Sequence, residues 1–410
     1  MRQPWITAQL LLALMGSGCV ALRDGAEHAP GLQSALIPGN KVTLLFDGPQ
    51  TMAAMEAAIQ GAQTSIHLET YIFDQDPIGL HFADLLMARQ RAGVKTLVIY
   101  DSVGTLNTPD AFFDKLRASG IELLAFNPVN PFKLQGAWQP NHRDHRKILV
   151  VDDRIAFTGG VNISQTYAAS SLFRAKDSAS SPIGWRDTHL QMEGPAVAVL
   201  QSLFLGTWNA HTKVPVHSDP PLVPPAQPGN KVVRVVASEP GGMQEVYAVY
   251  MEAIRAARTH IHLTCAYFVP NDGMLQELLN AAQRGVDVKL IVPGVKEGGM
   301  VFFAGHAYYD DMLKGGIRIF QMRQAVLHAK TAVVDGYWST VGSTNMDSRS
   351  FLLNSEINVI VIDSGFASAM EAAFAEDLMD SDELHLQSWR QRPLLDRLKE
   401  WAAGQFDYWL

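Results

Sequence analysis

The sequence predicts an α/β fold built from two repeated halves. Three observations lead to this prediction: strands and helices of about ten residues alternate, the same order of segments occurs twice, and a proline-rich stretch separates the copies. Such alternation is typical of a sheet covered by helices. Two copies in one chain imply a pseudo-two-fold arrangement, as if a dimer had been fused.

The repeated unit consists of four segments in a fixed order. A helix followed by a strand is predicted at 53–73 and again at 247–268. Each copy continues with a helix, a Gly-Val pair and a strand, and then with a helix, a Gly-Ile pair and a further strand. A strand–turn–strand unit closes each copy, at 145–162 and 328–345.

These repeats set the predicted boundaries along the chain. We predict a signal peptide over residues 1–19, a first domain over 40–214, a linker over 215–230, a second domain over 231–383 and an amphipathic C-terminal segment over 384–410. The linker has six prolines between residues 215 and 228, a composition typical of a stiff spacer or surface loop. A length of 410 residues also exceeds one ordinary core.

Composition excludes several classes of protein. Hydrophobic residues make up 47% of the chain and charged residues 18%, which is typical of a globular protein. The net charge of −8 argues against a nucleic-acid partner, although an acidic chain can still carry a local basic patch. The two cysteines, Cys19 and Cys265, provide neither a disulfide framework nor a thiolate metal site.

Both halves contain the same spaced motif, His-x-Lys-x4-Asp, followed at the same offset by a Gly-small-x-Asn tail. The first copy is His145, Lys147 and Asp152 with Gly159 and Asn162, and the second is His328, Lys330 and Asp335 with Gly342, Ser343 and Asn345. The placement of two such matches at equivalent points of a repeat excludes coincidence.

The residue types suit phosphoryl chemistry. Residues i and i+2 of a strand face the same side, so the histidine and lysine of each motif are expected to project together. Two lysines and two asparagines supply cations and amide donors for an anionic phosphodiester. Two histidines supply a nucleophile and a general acid, and their pKa values are expected to be pushed apart.

Other interpretations of these residues remain open. Asp152 and Asp335 follow valine-rich strands, and a structural role that orients a lysine or a loop is favoured over a catalytic one. His142 and His145 have a spacing that suits two metal ligands, but no cysteine or carboxylate cluster completes a tetrahedral set.

The duplicated motif with its tail resembles the phospholipase D superfamily over residues 40–380. Finer strings, at 158–163, 185–195, 342–350 and 354–358, resemble compact bacterial cardiolipin synthases. The resemblance implies two phospholipase D-type α-β-α sandwich domains with the active site at their interface. It also implies no cofactor and no metal. Gly160 departs from the pattern, since serine is common there.

The resemblance further implies a covalent phosphohistidine. One histidine attacks phosphorus, the other protonates the leaving alcohol, and family precedent favours His145 as the nucleophile, although the sequence leaves this open. A carboxylate is expected behind each histidine, by position Asp187 and Glu356. The alternative for these two acids is an exposed position at the end of a strand.

The function that the resemblance implies is a phosphatidyl transferase that makes cardiolipin from phosphatidylglycerol. Three alternatives remain: a hydrolytic phospholipase D that uses water as acceptor, a nuclease of the same superfamily, and a protein that only binds. The acidic charge disfavours the nuclease. The intact motifs disfavour a binding protein. A monomer with an internal pseudo-dimer is expected.

Both ends of the chain suggest a membrane surface. Arg2 precedes an apolar run and small residues that lead to Cys19, which resembles a lipoprotein signal with Cys19 lipidated and the protein exported to the bacterial cell membrane. An uncleaved anchor or a plain apolar N-terminus is the alternative. Aromatic and basic residues alternate over 389–409, which is typical of an interfacial helix or, alternatively, of packing on the second domain.

Overall fold

The computed structural model describes residues 34–129, 139, 141–168, 184–213, 215–216, 226–294, 300–323 and 325–404. The predicted signal peptide with Cys19 lies outside these residues, as do positions 217–225 of the predicted linker and the last six residues. Among the described helices, none is both long and apolar enough to cross a bilayer.

The strands fall into two sets. Those of the first half are β1 (Ile37–Phe46), β2 (Ser65–Thr70), β3 (Lys95–Asp101), β4 (Glu122–Phe126), β5 (Arg143–Asp144), β6 (Ile148–Val151), β7 (Ile155–Gly159), β8 (Trp185–Arg186) and β9 (Thr188–Glu193). Those of the second half are β10 (Lys231–Ser238), β11 (His260–Cys265), β12 (Phe268–Val269), β13 (Asp287–Pro293), β14 (Arg318–Met322), β15 (Val326–Leu327), β16 (Lys330–Val334), β17 (Trp338–Gly342), β18 (Met346–Asp347), β19 (Asn354–Ile362) and β20 (Ser381–Glu383).

Helices connect these strands. They are α1 (Gly48–Gly61), α2 (Pro77–Arg91), α3 (Asp110–Ala118), α4 (Val197–His211), α5 (Glu245–Ala256), α6 (Asp272–Gln283), α7 (Met300–Lys314), α8 (Ser348–Leu352), α9 (Ser364–Met379), α10 (Leu386–Arg390) and α11 (Leu394–Gly404). A 3-10 turn spans Gln165–Tyr167.

One sheet runs through both halves. Sixteen strands of the described chain form it, and β1 and β10 pair antiparallel at its centre. Outward from the centre, the first half has the order β1-β9-β7-β6-β2-β3-β4, and the second has β10-β19-β17-β16-β11-β13-β14, with β20 added at its edge. The matching orders confirm the predicted α/β fold of two repeated domains.

Helices cover both faces of the sheet in each half. In the first half, α1, α2 and α3 bury Met55, Leu86 and Phe112 against one face, while α4 buries Leu200 against the other. In the second half, α5 and α6 cover the face that corresponds to that of α1 to α3, and α9 covers the face that corresponds to that of α4. Burial of each such side chain contributes about 1.5–3 kcal/mol. Each half has its own core on the first face, whereas one cluster spans both halves on the second face.

Two short parallel ladders tie the halves together around the motifs. β5, which lies just before the first motif, pairs with the start of β19 in the second half. β15, just before the second motif, pairs with β8 in the first half. Each motif therefore enters the interface alongside a strand of the other domain.

The first predicted helix began too late and the strand after it ended too late. The helix begins at Gly48 rather than at residue 53, because the Asp47 carboxylate accepts a hydrogen bond from Gly48 N (2.8 Å) and Pro49 suits a first turn. The strand ends at Thr70, three residues before the predicted end. A side-chain cap leaves little trace in the hydrophobic pattern, which explains why the predicted helix began too late.

Candidate active site

The two motif histidines are anchored by the opposite half of the molecule. His145 N donates a hydrogen bond to Ser355 O (2.9 Å), and His328 N donates to Arg186 O (2.8 Å). These bonds continue the two short inter-domain ladders. Both imidazoles are largely buried, with 12% and 9% of their side-chain surfaces exposed.

A carboxylate from the opposite half holds each imidazole. His145 Nδ1 lies 3.0 Å from Glu356 Oε1, and His328 Nδ1 lies 2.7 Å from Asp187 Oδ2. Both carboxylates are buried, so they are not exposed strand-end acids. A carboxylate at Nδ1 fixes the ring orientation and leaves Nε2 to act on a substrate.

The two carboxylates are supported differently. Ser343 Oγ donates to Glu356 Oε2 (2.5 Å) and accepts from Ile357 N (3.0 Å). In the first half, a side chain at Gly160 would begin 2.0 Å from Asp187 Oδ1. Glycine replaces the common serine because the carboxylate occupies the space of that side chain.

The motif lysines line the same buried centre. Lys147 Nζ donates to His145 O (2.6 Å), and Lys330 Nζ donates to His328 O. Burial lowers the pKa of Lys147 to about 7 and that of Lys330 to about 8, against the opposing pull of nearby carboxylates. Both ammonium groups are thus poorly compensated cations that an anionic phosphodiester would stabilise.

The pKa of each motif histidine is affected by charged groups of the other motif. Burial lowers the pKa of His145, although Glu356 works against it. Burial lowers the pKa of His328 further, with help from Lys330 and Lys147. Because Lys147 and His145 of the first half act on His328 of the second, the two motifs form one electrostatic site.

The pKa values of the supporting carboxylates are shifted in opposite directions. Burial raises the pKa of Asp187 to about 6, against the effect of Lys330. Burial would also raise the pKa of Glu356, but His145 and Lys147 outweigh it and lower the pKa instead. The two histidines therefore lie in unequal electrostatic environments.

The tail residues hold the strands behind the site. A side chain at Gly159 would lie 2.6 Å from His189 Cα, and one at Gly342 would lie 2.2 Å from Asn358 Oδ1. These glycines permit the close approach of β7 to β9 and of β17 to β19.

The two tail asparagines differ. Asn162 Nδ2 donates to Tyr167 Oη (2.8 Å), and Asn162 Oδ1 accepts from Ile72 N (3.1 Å). Asn345 is buried, and its Oδ1 has no hydrogen-bond partner among the described residues. An unpaired amide oxygen therefore remains in the second half, where the first half uses its asparagine to hold a tyrosine.

The motif aspartates lie away from the histidines, at the far ends of the motif strands. Asp152 accepts hydrogen bonds from the backbone N–H groups of 63–65, and Asp335 accepts from those of 258–260. Both have φ of 53° and begin hairpin turns at the far ends of β6 and β16. The contacts describe a structural clamp, as the sequence interpretation favoured.

The family becomes clear from comparison with known proteins. The model of the family described as "Cardiolipin synthase, PLD-like domain" matches residues 55–172 and 250–378. The chain belongs to this family. It is therefore an enzyme of the phospholipase D type, a phosphatidyltransferase.

Relatives named cardiolipin synthase match most of the chain. Cardiolipin synthase of Geobacillus kaustophilus is 34% identical over 88% of this chain and 70% of its own length. Cardiolipin synthase A of Pseudomonas aeruginosa is 33% identical over 97% of this chain and 78% of its own length.

Solved structures show the same fold at low identity. Phosphatidylserine synthase of Haemophilus influenzae has a TM-score of 0.66 at 12% identity and covers 90% of this chain and 95% of its own. Polyphosphate kinase of Porphyromonas gingivalis has a TM-score of 0.55 at 13% identity, over 85% of this chain and 49% of its own.

Aromatic residues around the histidines were missed by the motif analysis. Tyr71 packs edge-on against His145 at 4.9 Å between ring centroids and lies 5.4 Å from Lys147 Nζ. Tyr167 and Trp185 flank His328 at 5.4 and 5.1 Å. Tyr71 stands where the second half has Ala266, so the repeat could not identify it.

A buried charge network beneath the first motif was also missed. Arg146, between the motif histidine and lysine, lies 3.1 Å from both Glu69 and Asp144 and donates to Thr207 Oγ1 (2.6 Å). The second half has Ala329 at the equivalent position. The network fixes the backbone of the first motif and has no counterpart in the repeat that could have indicated it.

Proposed function

We propose that this phosphatidyltransferase makes cardiolipin from two phosphatidylglycerol molecules through a covalent phosphohistidine and releases glycerol. The observation that supports this most strongly is the pair of buried imidazoles, each held at Nδ1 by a carboxylate of the other domain. Its relatives named cardiolipin synthase support the choice of substrate.

The first half-reaction exchanges the glycerol head group for an enzyme nitrogen. The Nε2 lone pair of a neutral imidazole attacks phosphorus, and the P–O bond to the glycerol head group breaks. The second imidazole, protonated at Nε2, gives its proton to the departing alkoxide. Glycerol leaves, and a phosphatidyl group remains bound to the first imidazole.

The second half-reaction reverses these roles. The now neutral second imidazole removes the proton from a hydroxyl of another phosphatidylglycerol. That oxygen attacks phosphorus, the P–N bond breaks, and cardiolipin forms while both imidazoles regain their starting states. Lys147 and Lys330 would stabilise the equatorial oxygens in both steps, since cations in a buried site act strongly on developing charge.

A lipid product assay tests this proposal. The full chain is incubated with phosphatidylglycerol vesicles, and lipid and water-soluble products are measured by mass spectrometry. We expect cardiolipin and glycerol in equal amounts, and neither product with His328→Ala. Phosphatidic acid without cardiolipin would instead assign water as the acceptor and overturn the transferase.

We also propose that α11 docks on the membrane surface. Its side chains are arranged against the usual rule for a helix on a soluble protein. Leu394, Leu398 and Trp401 are 61–78% exposed, whereas Glu400 faces the protein and pairs with Arg392 (2.6 Å). An exposed apolar stripe of this kind fits the acyl boundary of a bilayer.

Not every predicted interfacial residue faces outward. Trp389 is 6% exposed and packs against His306 and Tyr309, with the Arg392 guanidinium 3.0 Å from its ring centroid. Packing on the second domain, the alternative interpretation, therefore describes Trp389. Phe406, Tyr408 and Trp409 lie outside the described residues.

At the N-terminus, we propose export and lipidation at Cys19, which would tether the protein to the bacterial cell membrane. The basis is the sequence alone: Arg2, the apolar run and the small residues before the cysteine. Metabolic labelling with a fatty acid tests it, with Cys19→Ser as control. Equal labelling of both proteins, or of neither, would contradict lipidation at this residue.

A further inference from the structure

A cluster of metal-ligating side chains lies on the outer part of the second half, away from the catalytic centre. His260 and His262 occupy alternate positions of β11 and share one face, and Glu371 reaches them from α9. Glu371 Oε1 lies 3.0 Å from His260 Nε2, and Glu371 Oε2 lies 2.7 Å from His262 Nδ1. One ligand atom from each residue fits within 4.8 Å of the others.

Several polar atoms of this cluster lack hydrogen bonds. His260 Nε2, His262 Nε2 and Glu371 Oε1 are buried, and within the described chain none of them has a partner in hydrogen-bonding geometry. His260 Nε2 and Glu371 Oε1 lie 3.0 Å apart, but they are not aligned as a hydrogen bond. Buried polar atoms that converge without partners require an explanation, and a bound ion is one.

The hydrogen bonds around His260 indicate which nitrogen is free. Thr259 Oγ1 lies 2.7 Å from Asp335 Oδ1, which accepts its only proton, and 3.0 Å from His260 Nδ1. The hydroxyl must therefore accept from Nδ1–H, which leaves a lone pair on Nε2 in the neutral ring. A ligating histidine is typically held in this way through its second nitrogen.

The first half provides an internal comparison. Its equivalent of His262 is His67, which stacks on Phe204 at 4.9 Å just as His262 stacks on Phe374 at 4.6 Å. There Gln201 Oε1 bonds His67 Nδ1 at 2.8 Å, in the position that Glu371 takes in the second half.

The other equivalent positions also differ in chemistry. Ser65 and Lys95 pair across β2 and β3, and His260 and Asp287 pair in the same register across β11 and β13. From the first half to the second, a serine becomes histidine, a glutamine becomes glutamate and a lysine becomes aspartate. All three differences add ligands or negative charge at one place.

We infer that His260, His262 and Glu371 form a binding site for a divalent transition-metal ion, with zinc the best match to two imidazoles and a carboxylate. Asp287 Oδ2 lies 3.8 Å from His262 Nε2, and its charge is shared with Lys289 Nζ at 2.7 Å. The three ligand side chains are 12–27% exposed, so the cluster lies close to solvent although its unpaired atoms are buried.

The ion would cross-link α9 to the sheet. The same helix carries Asp377, whose carboxylate lies 2.8 Å from Arg186 Nε, and Arg186 directly precedes Asp187. Metal binding would therefore fix the helix that supports one carboxylate of the active site. The site is structural, and the two catalytic imidazoles are not part of it.

Zinc titration of the chelator-treated full chain tests the inference. We expect one saturable zinc site by isothermal titration calorimetry and a higher melting temperature when zinc is added. Glu371→Gln and His260→Ser restore the residues of the first half, so both proteins should fold. Each is expected to bind zinc at least about tenfold more weakly.

His328→Ala is the matched control for zinc bound at the catalytic histidines. It should keep the zinc site, whereas Glu371→Gln should lose the site and keep its phosphatidyl transfer. The absence of saturable binding, or equal binding by wild type and Glu371→Gln, would overturn the inference. Loss of zinc in His328→Ala alone would place the ion at the catalytic centre and overturn it equally.

Discussion

Glu356 and Asp187 orient the two imidazoles from opposite sides of the domain interface. A neutral amide of the same shape keeps the packing but no longer stabilises an imidazolium or selects the correct tautomer. We expect Glu356→Gln and Asp187→Asn to lower kcat on the order of 10²- to 10⁴-fold with little change in KM.

Steady-state kinetics on phosphatidylglycerol vesicles measures this effect. Glu239→Gln is a suitable control, because Glu239 is an exposed acid that pairs with Arg146 rather than with either histidine. A loss in Glu239→Gln as large as that in Glu356→Gln would point to a general electrostatic effect and contradict the specific role of the carboxylates.

The pH dependence follows from the buried groups. Burial lowers the pKa of both motif histidines below 6.5, so the nucleophile should stay neutral, and kcat/KM should persist, somewhat below that pH. The pKa values of about 7 for Lys147 and about 8 for Lys330 mean that their charges are lost as the pH rises through this range. We therefore expect a bell-shaped kcat/KM profile: the protonated imidazole loses its proton first, and the alkaline limb steepens near neutrality as the lysines lose their charges.

Lys147→Arg distinguishes the lysines from other titrating groups. Its guanidinium stays charged throughout this range, so the alkaline limb should be less steep near neutrality even if the maximal rate falls. An alkaline limb that is equally steep in Lys147→Arg and wild type would show that Lys147 does not contribute to it.

At the scale of secondary-structure elements, Asp152 and Asp335 couple each motif hairpin to the turn that starts the neighbouring strand. Each carboxylate accepts several hydrogen bonds from backbone N–H groups. Burial alone would raise its pKa, but these hydrogen bonds outweigh burial and lower the pKa. Asparagine tolerates the left-handed conformation at φ 53° and removes only the charge. We expect Asp152→Asn to lower the free energy of unfolding by about 1–3 kcal/mol.

The same variant should leave the chemistry intact. Denaturant unfolding and kcat, measured well below the melting temperature, separate the two effects. A fall in kcat comparable to that of His328→Ala, without a loss of stability, would return this aspartate to the catalytic machinery.

Sequence patterns predicted the elements that recur and missed those that do not. The motif histidines and lysines could be found because the repeat marks them twice. The crossing of Glu356 to His145 and of Asp187 to His328 could not, because spacing along the chain does not say which distant strands become neighbours. The repeat could not identify Tyr71 and Arg146 as site residues, because the second half has alanine at both equivalent positions.

At the scale of the whole molecule, the exposed apolar stripe of α11 predicts which surface of the protein binds the membrane. This helix packs beside α7 through Ala403, and α7 in turn packs on β12, which pairs with β18 directly after Asn345. The stripe is thereby linked to the active-site side of the second domain. Its amphipathic pattern was visible in the sequence, but the sequence did not show which apolar residues face outward.

Charged residues in the stripe should weaken membrane binding. We expect Leu398→Glu and Trp401→Glu to reduce co-sedimentation with anionic vesicles severalfold, because each removes buried apolar area and adds repulsion. Met379→Glu is the control, since Met379 is 72% exposed on another helix. Equal loss in all three proteins would mean that added negative charge alone is responsible.

The most direct test of the composite site is to trap the covalent intermediate. Wild type, His145→Ala and His328→Ala are mixed with phosphatidylglycerol labelled in its phosphatidyl part, quenched, and analysed by peptide mass spectrometry. We expect both variants to lose turnover and only one to retain the label, on the histidine that remains; that residue is the nucleophile. Absence of label from all three proteins, or label on a residue other than these two histidines, would contradict the account.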